Sequence, residues 1–251
     1  MYKLSKILII IPTLNEEKNI NKLVSKIFAL KKYFFNILFI DDNSLDRTQK
    51  EIINLKKKFK NINYLFRKNK RGIGSAHKEG IKYAFKNKFN YCITIDADGT
   101  HDPAVILKML ELFNKQSGNC DIINTNRFLN PKSISDWPFI RKFITTLRFL
   151  LVKFFLKTEL DSSGGFRFYN LNTIRPKHFL LSKDMNYFYL IESLFYFEKI
   201  GYKIFELPIS LKFRNYGNSK MRLSHVFDSL KKLIILSLKN FFYMKKIDFK
   251  L

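Results

Sequence analysis

Short apolar runs rich in β-branched residues alternate, through the first half of the chain, with longer stretches whose apolar side chains recur every three to four positions. The runs are residues 6–12 (KILIIIP), 36–42 (NILFIDD), 62–67 (INYLFR), 91–96 (YCITID) and 121–126 (DIINTN), and each reads as a strand. Helical stretches begin near Glu16, Arg47, Gly74 and Pro103. The runs are apolar at nearly every position and lack the in–out alternation of a half-exposed strand. They predict a mostly parallel α/β sheet covered by helices on both faces. In an open sheet of that kind ligands bind beyond the carboxyl ends of the strands. Polar residues gather there: 12–17, 41–46, 96–101, and Asn126 with Arg127.

Residues 137–160 break the alternation. Ile140, Phe143, Ile144, Leu147, Leu151, Phe154 and Phe155 form one helical stripe, with Arg141, Lys142, Arg148, Lys153 and Lys157 on the flanks and far face. Two readings stay open: a core helix, or a helix lying in a membrane interface with basic groups near lipid phosphates. Residues 225–243, with Val226, Leu230, Leu233, Ile234 and Phe241 beside Lys231, Lys232 and Lys239, admit the same two readings. Neither is long and apolar enough to span a bilayer. No linker, repeat or low-complexity tract divides the chain, so the expected organisation is one domain over 1–221 followed by a basic amphipathic helix over 222–251.

Composition changes this picture in one respect. Apolar residues at 46% and charged residues at 27% are ordinary for a globular protein, but 46 Lys and Arg against 21 Asp and Glu leave a formal charge of +25. Such a field favours anionic partners: nucleic acid, nucleotide, phospholipid or a phosphorylated substrate. An abundance of Lys, Asn, Ile and Phe, residues of A/T-rich codons, accounts for the excess equally well, so charge alone names no partner. Two cysteines, Cys92 and Cys120, are expected to be free thiols in a reducing cytoplasm. The first residues lack the apolar length and cleavage site of a signal peptide.

The strongest chemical signal is ITIDADGTHDP, residues 93–103. Asp96 and Asp98, two residues apart after an apolar strand, supply hard oxygen ligands for Mg²⁺ or Mn²⁺ and leave positions for substrate phosphate oxygens. In FIDDNSLDRT, Asp42 at a strand end either contacts a ribose or base or serves the turn into the next helix. Gly72 and Gly74 resemble a phosphate-cradling loop, but without the third spaced glycine of the dinucleotide fingerprint.

The ordered set IIIPTLNEEKNI, FIDDNSLDRT, RKNKRGIGSAHKEG, ITIDADGTHDP, DSSGGFRFYN and ELPISLKFRNYGNSKM resembles the inverting family 2 glycosyltransferases of the GT-A (Rossmann-like) fold. Within them it is most similar to polyprenyl-phosphate (dolichyl-phosphate) mannosyltransferases. The resemblance covers residues 7–221. It implies a nucleotide-sugar donor, a divalent metal and a polyprenyl-phosphate acceptor at an anionic membrane surface, with a peripheral enzyme on the cytoplasmic face. It places Pro12, Thr13, Asn15, Glu16 and Asp42 at the nucleotide, and Asp96, Ala97 and Asp98 at the metal and diphosphate. Thr100 falls where relatives carry a side chain near the metal. Arg127 matches an arginine after the fifth strand, and Arg214 and Lys220 match a late segment that meets phosphate charge. Asp98, Arg214 and Lys220 are thus the expected catalytic set, and Gly165-Phe166-Arg167 matches a structural turn.

Breaking a sugar–diphosphate bond builds charge on the leaving nucleotide, which a divalent ion and Arg/Lys stabilise. A polyprenyl phosphate is already an anion, so no carboxylate base is needed to activate it. This fits motifs rich in phosphate ligands and without an evident Asp/His pair. Mannose from GDP-mannose is the expected donor group. UDP-glucose or a UDP-N-acetylhexosamine, with a lipid-phosphate or surface-polysaccharide acceptor, is the alternative within the class. Outside it stands a basic nucleic-acid or membrane-binding module, which does not require paired carboxylates at a strand end; no nucleic acid is expected. Gly99-Thr100 and the glycine-rich 161–165 depart from the family pattern.

Overall fold

Among the residues described in the computed structural model (4–69, 72–130, 132–212 and 223–243), seven strands form one sheet. They are β1 (Ile7–Thr13), β2 (Phe35–Asp41), β3 (Ile62–Phe66), β4 (Tyr91–Thr94), β5 (Ile122–Asn126), β6 (Arg167–Asn170) and β7 (Ile204–Pro208), in the order β3-β2-β1-β4-β6-β5-β7. Neighbours pair in parallel except around β6, which is antiparallel to both β4 and β5. Pattern alone predicts the first five strands. It does not predict β6, whose first residue is a buried arginine, nor β7, a half-exposed edge strand with Glu206 at its centre.

Alternate residues of each strand enter two separate cores. Ile7, Ile9, Ile11, Ile37, Phe39 and Ile93 pack under α1 (Ile20–Phe28), α2 (Thr48–Lys58) and α4 (Val105–Lys115). Leu8, Ile10, Leu38, Ile40 and Cys92 pack on the opposite face under α3 (Ile73–Lys86), α6 (Phe188–Ile200) and a 3-10 turn at Pro176–Leu180. This is the expected parallel sheet covered on both faces. Cys92 and Cys120 are free and buried, and burial raises both thiol pKa values.

Helices α5 (Phe139–Leu156) and α7 (Leu223–Tyr243) lie against α6 through Val152, Leu156, Phe188, Ile191, Phe195, Leu233 and Leu236. Ser237 Oγ donates to the Phe155 carbonyl at 2.8 Å, joining the pair. The apolar stripe of α5 therefore divides. Leu151 and Phe155 turn partly inward, whereas Phe139 and Phe154 are 80% and 76% exposed, with Ile140, Phe143, Ile144, Leu147 and Leu150 on the same solvent side. A core helix would bury them. The reason is a second, narrower face: Thr145, Val152 and Leu156 are buried and Phe149 stacks on Phe128 at 4.1 Å. In α7, Leu230, Ile234, Ile235 and Leu238 are likewise exposed. No helix of the described residues is long and apolar enough to cross a membrane.

Candidate active site

Parallel register brings the polar strand ends together. Thr13 pairs in register with Asp41, and Ile10 with Thr94, so β1, β2 and β4 finish side by side. Antiparallel β6 starts where β4 and β5 end, with Arg167 opposite both Thr94 and Asn124. The Gly164-Gly165 turn that feeds β6 is thereby delivered to the same crevice.

At the β1–β2 rim, the predicted residues are bound largely to one another. Thr13 is buried and its hydroxyl donates to Asp41 at 3.2 Å, while Pro12 is half-buried beside it. Asn15 takes a positive φ of 54°, its backbone N–H donates to Ser44 Oγ, and its side-chain oxygen accepts from the Leu45 N–H. Glu16 is buried, receiving Asn19 Nδ2 at 2.7 Å while its own N–H reaches Thr48. Asp42 lies one residue past β2. It accepts Arg67 at 2.8 Å and the Gly72 N–H at 2.9 Å. Arg67 also donates to Ser75 and to the Gly72 carbonyl, so it fastens the start of α3 to the β1–β2 rim. Pattern reading missed Arg67; the signal was a basic residue ending an apolar strand.

Gly72 and Gly74 lie tight against residues 185–189. A Cβ on Gly74 would sit 2.7 Å from the Asn186 carbonyl oxygen, so both glycines serve close packing of α3 against residues 185–189.

Past β4 the chain presents Asp96, half-buried, Ala97, buried, and Asp98, buried. Gly99 adopts φ 75° and turns the chain back, so that Thr100 donates to Asp98 Oδ1 from its N–H at 3.0 Å and its hydroxyl at 2.7 Å. Thr100 thus reaches the site by orienting a carboxylate. His101 Nδ1 stands 3.8 Å from Asp96 and its ring tilts against Phe166. No cluster of three or more His, Cys, Asp and Glu able to hold a metal occurs among the described residues. Two carboxylates with hard oxygens nevertheless fit Mg²⁺ or Mn²⁺, which keep waters and take the rest of their ligands from substrate phosphates. The Lys212 N–H donates to the Thr100 carbonyl and Lys212 Nζ meets Asp102 at 3.2 Å, so the chain after β7 returns to this loop. Arg214 and Lys220 lie outside the described residues.

At the β5 end, Arg127 is held by Asp161, with Nε at 2.7 Å and its backbone N–H also donating to the same oxygen. Burial pushes the Asp161 pKa up, but Arg127 and the surrounding hydrogen bonds outweigh it and leave the carboxyl below its ordinary value. Arg148 joins this group. Its guanidinium donates to Ser163 Oγ at 3.0 Å, its Nε is enclosed without a partner, and burial followed by Arg127 lowers its pKa to about 10. The helical pattern placed Arg148 on the outer basic flank; α5 turns it inward because residue 145 and residue 152 bracket it on the buried side. Arg167 is fully buried, donating to Asn124, Ser162 and Leu190, which supports the structural reading of the G-F-R turn.

Residues 8–175 match glycosyl transferase family 2. An undecaprenyl-phosphate mannosyltransferase of Micrococcus luteus is 26% identical over 217 residues, 86% of this chain and 87% of that protein. A dolichol-phosphate mannosyltransferase of Pyrococcus furiosus is 29% identical over 90% of this chain, which spans only 62% of that longer protein. The polyprenol monophosphomannose synthase of Mycolicibacterium smegmatis is 24% identical over 90% and 84% of the two chains. Among solved structures, glucosyl-3-phosphoglycerate synthase from Mycobacterium tuberculosis, in complex with Mn²⁺, UDP and glucosyl-3-phosphoglycerate, superposes with a TM-score of 0.60 at 17% identity, over 94% of this chain and 79% of its own. That likeness is one of fold, and the fold is the GT-A type.

Proposed function

The chain belongs to glycosyl transferase family 2, and from that premise we propose that it transfers mannose from GDP-mannose to a polyprenyl phosphate at a membrane surface, with inversion. The carrying observation is the pair Asp96 and Asp98 at the carboxyl end of β4, in a crevice whose other walls are the β1–β2 rim and the Arg127–Asp161 pair. Relatives named for polyprenyl-phosphate mannose transfer support the acceptor and the sugar.

In this reading Pro12, Thr13, Asn15, Glu16 and Asp42 hold the base and ribose, and Ala97 lets the nucleotide lie against the chain. Asp96 and Asp98, the latter oriented by Thr100, hold Mg²⁺ or Mn²⁺. A divalent ion bound there supplies charge neutralisation for the diphosphate. Arg127 takes up phosphate charge, as do Arg214 and Lys220. A phosphate oxygen of the acceptor attacks the anomeric carbon, a new carbon–oxygen bond forms, and the bond to the nucleoside diphosphate breaks with its electron pair. No proton must be removed first, so the site needs no carboxylate base.

The exposed apolar faces of α5 and α7 support peripheral binding to an anionic bilayer, which we place at the cytoplasmic face. Residues 1–221 then form the transferase unit, and α7 belongs to the basic C-terminal segment after it. Incubating the protein with Mn²⁺, a short polyprenyl phosphate and a panel of GDP- and UDP-sugars tests the reading. The expected result is a mannosyl lipid from GDP-mannose, lost in EDTA. Product from a UDP-sugar alone would replace the donor, and no lipid-linked product from any donor would overturn the proposal.

A further inference from the structure

His77 lies on α3 with its ring stacked on Tyr189, centroids 5.8 Å apart. The side chain is buried, and Nε2 is enclosed with no hydrogen-bond partner. Enclosed polar atoms in folded proteins are nearly always paired, and an unpaired one calls for a partner the chain does not itself supply. The ring edge faces the Gly164-Gly165 turn. A Cβ built on Gly165 would stand 3.7 Å from His77 Nε2 and only 3.3 Å from Asp96 Oδ1, closer than ordinary contact, so both side chains border the bare glycine backbone. The preceding residue is also glycine, so this stretch of the turn carries no side chain.

The chemistry of the ring narrows the partner. Burial, followed by the charge of Arg167, lowers the His77 pKa to about 3, so the imidazole is neutral at physiological pH. A neutral imidazole offers one donor and one acceptor and no charge. It suits a hydroxyl group, not a phosphate, whose neighbours here are arginines and a metal-binding carboxylate pair. Resting on the donor assigned above, we propose that His77 is a sugar-recognition residue whose Nε2 hydrogen-bonds a hydroxyl of the donor hexose where the Gly165 backbone meets Asp96.

Calorimetric titration in Mn²⁺ with GDP-mannose and, separately, GDP tests this. His77→Phe keeps an aromatic ring against Tyr189 and removes the nitrogen; His77→Leu is the second apolar variant should the first not fold. The expected result is a five- to tenfold loss of affinity for GDP-mannose, about the worth of one neutral hydrogen bond, with GDP affinity unchanged. His77→Gln, which retains a hydrogen-bonding group, should recover part of that loss. Equal losses for both ligands, or no loss for either, overturn the proposal; the second outcome leaves the nitrogen to an internal water. If wild type binds neither GDP-mannose nor GDP, but binds UDP and a UDP-sugar, the donor assignment fails and the same comparison is made with that pair. If it binds no nucleotide at all, the functional reading itself fails, and this inference with it.

Discussion

The two halves of the crevice are built differently. On the side of β1, β2 and β4, the polar residues are short-range products of parallel β–α units: each strand ends, the chain turns, and the next helix begins. Their bonds join neighbouring turns, as Asn15 with Ser44 and Leu45, or Asp98 with Thr100. On the side of β5, β6 and β7, the polar residues are brought in from far along the chain and buried as a charge network: Arg127 with Asp161, Arg167 with Asn124, Asn124 and Asn126 with Glu206. The first half holds one buried pair of this kind, Asp42 with Arg67, and otherwise lies in turns. The second is itself part of the fold, so its residues cannot be altered without touching stability.

Substitutions separate the two. The largest stability effect is expected at Asp161, whose side chain is only 1% exposed and carries the Arg127 pair. Asp161→Ala leaves Arg127 and Arg148 together without their carboxylate and should cost about 3–5 kcal/mol in chemical denaturation. A loss below about 1 kcal/mol would show the network to be dispensable. Asp98→Ala, on the other half, should reduce turnover at least about a hundredfold, roughly 3 kcal/mol of transition-state stabilisation. Its melting temperature should stay close to wild type. Full turnover of this variant in EDTA would remove metal chemistry from the site.

Helix α5 sharpens the comparison. Phe154→Ser should leave stability within about 0.5 kcal/mol, as for other exposed positions. Binding to anionic vesicles should fall roughly tenfold, from the lost burial of one aromatic side chain in lipid. Arg148→Glu should behave in the opposite way, lowering stability by about 1–3 kcal/mol and leaving vesicle co-sedimentation unchanged. Vesicle binding by Phe154→Ser equal to wild type would remove the lipid role of this face.

The smallest effect is one of pH. The Asp161 pKa is depressed in the folded state, so its stabilisation is present above the unfolded value, about 3.9, and is lost as pH falls through the lower folded value. The stability gap between wild type and Asp161→Asn should therefore be full at pH 7 and narrow below about pH 4. Parallel denaturation curves at the two pH values measure it.

Legibility followed the same division. Apolar runs with polar ends revealed β1 to β5 and the positions of Asp42, Asp96 and Asp98, because in parallel units a strand end is also a crevice position. β6 escaped because Arg167 interrupts its apolar pattern, and that arginine is satisfied by the Asn124 amide oxygen, the Ser162 and Leu190 carbonyls and the Ser193 hydroxyl, all outside the strand. His77 and Arg67 escaped for a related reason. Nothing local distinguishes a histidine on the inner face of a helix from one that packs silently; what singles it out is a glycine 88 positions later. The helical period of residues 137–160 was plain, but not which side of the helix met the protein, and so Arg148 was read outward when it points in.

The reversed strand inside the sheet also sets the order in which the molecule can assemble. During synthesis, β1 to β4 and their helices emerge first and are rich in contacts between near neighbours. Yet β4 gains its second neighbour only when β6 is available, and β5 is tied to β4 only through that same late strand. Long-separation pairing of this kind slows folding, because loop-closure entropy is lost before the contacts repay it. The carboxylate pair thus comes into being on a sheet whose edge stays open until some seventy further residues have left the ribosome. Refolding experiments should accordingly show structure around β1 and β2 formed early, and ligand-binding competence appearing only with the slow phase that docks β6.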